Sequence, residues 1–168
     1  CGNGAIWLDS GTVRNTIVAG SVLRGCGGIV ADRTAKVENC TIVGNVCTNE
    51  NETVAGLSIE NTGVKVYNTI AWDNRWTNGL NSAVMNVGGW GINASSLESC
   101  WTNDPKLRGR GKFAFRPTSD SPCVDAGSRL SWMDETAVDI YGRPRKQGKG
   151  PDIGAAEFSA AGLMIQVR

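Results

Sequence analysis

Histidine is absent from the 168 residues. That removes every His-based catalytic triad, every His-containing metal site and the usual general base near neutral pH. An excess of charge of one sign is missing too. Seventeen basic residues against 16 acidic leave a net +1, so no global field draws the chain toward nucleic acid or an anionic membrane. No apolar run approaches the roughly 18 residues expected of a membrane-spanning helix. No Cys-x-x-Cys pair occurs, which leaves zinc-ribbon and thioredoxin-type chemistry without support. Proline is confined to five positions between 105 and 151. What the chain does have is 22 Gly, 14 Asn and 12 Thr, the vocabulary of many short strands and tight turns. With 40% hydrophobic residues and no low-complexity tract it is not disordered, and its length suits one domain.

Internal similarity is the strongest signal. Gly4-Ala-Ile-Trp-Leu-Asp-Ser10, Gly28-Ile-Val-Ala-Asp-Arg33 and Gly56-Leu-Ser-Ile-Glu-Asn61 align, with opening glycines 24 and then 28 residues apart. Each is followed by a related run: Val13-Arg-Asn-Thr-Ile-Val18, Val37-Glu-Asn-Cys-Thr-Ile-Val43 and Val66-Tyr-Asn-Thr-Ile-Ala71. Leucine-rich spacing is missing, and each unit holds two short β-type runs, as one coil of a parallel β-helix does. Ile6 and Leu8, Ile29 and Ala31, and Leu57 and Ile59 are each two apart and should point inward. Trp7, Val30 and Ser58 should face outward. Val13, Val37 and Val66 should stack, as should Ile17, Ile42 and Ile70. The repeat loosens after Asn74, with a loop excursion over 75–90 and a degraded fourth coil from Gly91 to Trp101.

From Asp104 the character changes. Asp104-Pro-Lys-Leu107, Phe113-Ala-Phe-Arg-Pro117, Ser121-Pro-Cys-Val-Asp-Ala-Gly127, Asp139-Ile-Tyr-Gly-Arg-Pro-Arg145 and Pro151-Asp-Ile-Gly-Ala-Ala-Glu-Phe158 follow in order. This set resembles the C-terminal signature of secreted bacterial right-handed parallel β-helix repeat proteins, among them the choice-of-anchor Q domain proteins. Cys123 departs from the small apolar residue usual there. The resemblance implies secretion or surface display and carries over no catalytic residue. The expected fold is therefore all-β: a right-handed parallel β-helix of three to four coils (1–103) with an irregular C-terminal capping segment (104–168) in the same domain. The coils follow from the repeat, and the hand from the resemblance and the usual crossover rule. The tail should fold across the last coil and protect its open end, with Asp–Gly turns at Asp125 and Asp139 and a closing strand over Leu163–Val167.

Candidate chemistry is sparse. Asp9, Asp32 and Glu60 each follow the second inward residue of their coil, a column of like charge roughly 4.8 Å apart. It reads either as a calcium site or, the favoured reading, as a solvated face balanced by Arg33, Lys36 and Lys65. A lyase would need a base, for which Lys36, Lys65 and Tyr67 are available but unmarked. Trp72 and Trp76, flanking Asp73-Asn-Arg75, could stack on sugar rings, with rim aromatics covering the core as the blander alternative. Three Asn-x-Ser/Thr sequons carry no weight in a bacterial chain.

Six scattered cysteines in a β-rich chain read as an oxidising, extracytoplasmic location, with buried thiols as the alternative. Cys1 and Cys26 occupy nearly the same place in successive coils, within bridging reach. Cys100–Cys123 would tie the last coil to the tail, leaving Cys40 with Cys47. Cys1 could be a lipidated first residue, but Cys1-Gly-Asn-Gly-Ala-Ile6 looks like repeat interior, which favours a cleaved or truncated larger β-helix. An upstream segment or another chain should then cover the first coil. The functional expectation is a non-catalytic structural or adhesive module at the cell surface or outside the cell, associated with polysaccharide. The alternative is a polysaccharide lyase or hydrolase with an outward carboxylate and basic face. No nucleic-acid partner, membrane span or cofactor is expected, calcium aside.

Overall fold

The computed structural model describes residues 4–49, 54–109 and 114–159. Among them there is no helix; the ordered elements are fifteen strands of two or three residues. They recur in the same order along the chain. The first tier holds β1 (Ile6–Leu8), β2 (Thr12–Arg14), β3 (Ile17–Ala19) and β4 (Val22–Leu23). The second holds β5 (Ile29–Ala31), β6 (Lys36–Glu38), β7 (Thr41–Val43) and β8 (Val46–Cys47). The third holds β9 (Leu57–Ile59), β10 (Lys65–Tyr67), β11 (Ile70–Trp72) and β12 (Arg75–Thr77). After β13 (Ser82–Val84), a reduced fourth tier keeps β14 (Val87–Gly88) and β15 (Leu97–Glu98), and Trp101 bridges to Ile70. Equivalent strands pair in parallel across tiers, giving sheets β1-β5-β9-β14, β2-β6-β10-β15, β3-β7-β11 and β4-β8-β12-β13. Only β12–β13 is antiparallel.

Strands this short end because turn residues interrupt them at fixed places. Asn15, Asn39, Asn68 and Ser99 occupy one corner of the four tiers, each with φ 49°. Asn tolerates that left-handed geometry better than other residues with a side chain. The next corner is built by Gly20, Gly44 and Asp73 (φ 68°, 63° and 52°). Directly after it, side-chain amides link the tiers, with Asn45 and Asn74 buried and Asn86 half-buried. Asn45 Oδ1 accepts from Ser21 N (3.0 Å), Asn74 Oδ1 from Asn45 N (3.1 Å) and Asn86 Oδ1 from Asn74 N (3.0 Å). Their Nδ2 groups donate to Val18 O, Ile42 O and Thr102 O. Each buried polar group thereby keeps a partner, avoiding the desolvation cost of an unmet amide.

The register Ile6↔Ile29↔Leu57, Leu8↔Ala31↔Ile59 and Val13↔Val37↔Val66 is the expected one, and these side chains build the core. The Ile17/Ile42/Ile70 stack is wrong by one residue. Ile17 and Ile70 pair with Thr41, while Ile42 pairs with Val18 and Ala71 and points inward. Cys40 is no insertion: it continues the corner begun by Asn39 and aligns with Thr16 and Thr69. Trp7 is half-exposed as expected, but Val30 and Ser58 are buried, Val30 in a small cluster with Cys26 and Val54. Residues 75–90 are not a loop either: β12 continues the fourth sheet, and the Asn78–Asn81 turn returns β13 beside it.

Among its described residues the C-terminal segment carries no strand and is not laid across the last tier. It lies along the flank, against the corner between the second and third sheets. Ser128 bonds Asn68 and Ser99, Gly154 N donates to Asn68 O, and Ala155 N donates to Thr41 Oγ1. Asn39 Nδ2 reaches Asp152 O, and Asn15 is held by Val138 O and by Arg145. Cys123 and Ile153 close a second core with Val43 and Ile70, the outward side chains of the third sheet. Around Val43 and Ile70 that sheet is covered on both faces, so its apolar run lacks polar alternation. The Asp139 turn forms as expected, its Oδ1 accepting from Tyr141 N and Arg143 N with Gly142 at φ 79°. Asp125 makes no such local turn: its Oδ1 accepts from Lys149 N, 24 residues on, and the left-handed residue is Asp125 itself (φ 55°). The anticipated closing strand at 163–167 lies outside the described residues.

Candidate functional site

Asp9, Asp32 and Glu60 do occupy equivalent places, since Asp32 N bonds Leu8 O and Glu60 N bonds Ala31 O. Their carboxylates point to separate partners. Asp9 pairs with Arg33 Nε at 3.1 Å, Asp32 Oδ1 accepts from the Arg33 backbone N at 2.6 Å, and Glu60 Oε1 from Ser58 Oγ at 2.5 Å. Among the described residues no group of three or more acidic or thiol side chains is placed to hold a metal. Lys65 is turned to Ser95, bonding its carbonyl and hydroxyl oxygens.

Trp72, Arg75 and Trp76 separate by sheet. Trp76 lies on β12, and its indole N–H donates to Asn49 O at 2.7 Å. Trp72 lies on β11, one sheet away, and lines a groove of about 350 Å³ between the third sheet and the C-terminal flank. Its floor is the register column Ala19↔Val43↔Trp72 with the corner Gly20, Gly44 and Asp73. Its wall is Asp104–Gly109 with Phe115. Each element is locally set. The Trp101 indole N–H reaches Asp104 O, and Asp104 Oδ1 turns the chain by accepting from Lys106 N at 2.9 Å. Arg75 grips Asp73 Oδ1 through Nε (2.8 Å) and Nη2 (2.5 Å), which fixes that carboxylate at the groove's edge. Gly20 and Gly44 leave the floor bare, because a Cβ at either would meet nothing within 4 Å. The groove thus combines two aromatic rings, two carboxylates and the exposed Arg108 (an apolar base with a few polar groups at the rim, as ligand sites usually are). Sequence reasoning named Trp72 but missed Asp104 and Phe115, whose only signal was their place in the tail motifs, and Arg108, which lies outside those motifs.

A second polar cluster sits where the flank meets the first tiers. Arg145 is fully buried, donates to Glu157 Oε1 at 2.7 Å, and bonds Ala155 O and Asn15 Oδ1. Asp152, also buried, accepts from Asp125 N and Phe158 N, while Asp139 Oδ2 accepts from Glu157 N. Burial pushes the Glu157 carboxyl up to about 7, against the pull of Arg145. It raises Asp152 as well. Arg145 bonds Glu157 and acts on Asp152 only through its charge, so two buried carboxylates face one guanidinium and protonation relieves an excess of negative charge.

Among the described cysteines no disulfide forms, so Cys100–Cys123 and Cys40–Cys47 are not bridges; the expected Cys1–Cys26 pair lies outside the described residues because Cys1 does. Cys40 Sγ points into the main core toward Val13 O and Glu38 O, away from Cys47, whose Sγ is directed to Asn49 O. Cys100 turns to Val66 O and Glu98 O, whereas Cys123 belongs to the second core. Burial holds these thiols far above the usual range, at about 12 for Cys40, 11 for Cys100 and 12 for Cys123. They act as small core hydrophobes.

Comparison with protein-family models, with curated proteins and with solved structures finds no match to this chain.

Proposed function

We propose that this chain is a right-handed parallel β-helix serving as a non-catalytic structural or adhesive module, secreted or displayed on a bacterial surface, which engages glycans. The fold part is supported by four sheets whose strands pair in parallel with the next tier in constant order, and the hand by the crossover rule. Secretion is supported by the tail signature over residues 104–158, not by the cysteines.

The observation that carries glycan binding is the groove with Trp72 on its floor, Phe115 in its wall, and Asp73, Asp104 and Arg108 at its rim. Sugar rings present apolar C–H faces and a girdle of hydroxyls, so they match an aromatic platform edged by acceptors. The test is an oligosaccharide and polysaccharide array, read alongside absorbance at about 235 nm for unsaturated uronate products. Binding without turnover, lost in Trp72→Ala, is the expected result. Steady product formation would replace the module by a lyase.

A further inference from the structure

Resting on the glycan reading above, we infer that the groove selects a neutral glycan segment of about two rings and turns away uronates and other anionic sugars. Two features lead there. The first is the disposition of acceptors. Asp73 Oδ1 is occupied by the Arg75 fork and Asp104 Oδ1 by Lys106 N. Among the described residues nothing engages the second oxygen of either carboxylate. Two carboxylate oxygens beside an indole suit the donated protons of neighbouring hydroxyls, and such charge-assisted bonds are the strong ones. An anionic ring in the same place would set its charge against these unengaged carboxylate oxygens, and among the described lining residues Arg108 is the one cation left to receive it, since Arg75 is committed to Asp73.

The second feature is the floor. It runs from Ala19 and Gly20 through Val43 and Gly44 to Trp72 and Asp73, two tier spacings or roughly 10 Å. The corner position carries a carboxylate only in the third tier. In the first two it is glycine in the left-handed region, and the space a side chain would fill stays open. One ring lies on Trp72 against Asp73 and Asp104, and the next continues over Gly44 and Gly20. Gly44 is then the length gate of the site.

The experiment titrates the protein, by calorimetry and by tryptophan fluorescence, with neutral oligosaccharides of one to four hexoses and with uronate oligosaccharides of the same lengths. Asp73→Asn, Trp72→Ala and Gly44→Asn are measured in parallel. Asn is tolerated at φ 63° and meets no neighbour within 4 Å, so Gly44→Asn should fold normally, which its melting temperature checks. The expected result is that neutral disaccharides and longer chains bind and monosaccharides bind more weakly. Asp73→Asn should lose about tenfold or more, Gly44→Asn should block the longer chains, and uronates should fail. Uronates binding as well as neutral chains, in a manner abolished by Trp72→Ala, would overturn this selectivity while leaving glycan binding intact. Binding of neither class, or binding indifferent to both Trp72→Ala and Gly44→Asn, would overturn the glycan reading itself.

Discussion

Raising the pH from about 4.5 to 7 should weaken the protein, and Glu157 should be the main reason. The side chain is 1% exposed and its partner Arg145 is fully buried. Arg145, Asp152 and Asp139 are the charged groups around it, and two of the three are acids. Burial moves the carboxyl from an ordinary 4.5 to about 7, so the folded protein holds this proton more tightly than the unfolded chain does. The stability this supplies is complete below about 4.5 and lost as pH rises through about 7. At about 1.4 kcal/mol per unit, the loss is on the order of 3 kcal/mol, or very roughly 10 °C in Tm for a domain of this size. Asp152, also raised, acts in the same direction. On the acid side, Asp120 and Asp134 are held low by Thr118 and Thr136, so stability falls again as pH drops toward about 2. Urea midpoints measured at half-unit steps from pH 4 to 8 give the profile. Glu157→Gln mimics the protonated side chain, so it should lie close to the wild type near pH 4.5 and flatten the slope between 4.5 and 7. A wild-type profile that is flat or rising across that window, or a Glu157→Gln profile with the same slope, refutes the reasoning.

Ile42→Ala should cost about 2–5 kcal/mol as a fully buried core truncation, and Ile17→Ala clearly less, because Ile17 faces away from that core; equal losses in chemical denaturation would restore the discarded stack. Cys40, Cys100 and Cys123 should resist iodoacetamide in the native protein at pH 8, given thiols raised to about 11 or 12; rapid labelling seen by mass spectrometry would contradict their placement. Calcium should leave Tm unchanged, and Asp32→Asn should shift stability by no more than about 0.5 kcal/mol, because Arg33 already balances the column; a calcium-dependent rise lost in that variant would prove otherwise.

Periodic features were legible in the sequence because they repeat. Val13, Val37 and Val66 each precede an Asn by two residues, and that Val-x-Asn unit fixes both a core position and a corner. The slip at Ile42 came from reading Cys40 as an extra residue, when a small buried thiol fits the place a threonine fills in the other tiers. Val30 misled for a different reason: alternation tells which way a side chain points, not whether something covers it. The groove was half legible. Trp72 announced itself as an aromatic near charge, but its far wall arrives from Asp104 and Phe115, and no local pattern says which face a non-repetitive tail will choose. The tail's turn chemistry was readable residue by residue, while its destination depended on the outward apolar side chains of Val43 and Ile70.

The flank also sets an order of assembly. Stacked repeats ordinarily fold from any point and spread to their neighbours. Here Asn15, in the first tier, meets Val138 and Arg145, partners 123 and 130 residues further along the chain. The first tier leaves the ribosome well before these partners, and it is fastened only once residues 138–145 have followed. Loop closure over that span is slow to be rewarded, so early tiers must wait with their strand edges open. Partial chains ending before residue 138 therefore present an unfastened stack, the form most exposed to proteases and to mispairing. Arrival of residues 138–145 is what commits the Asn15 corner to its final state.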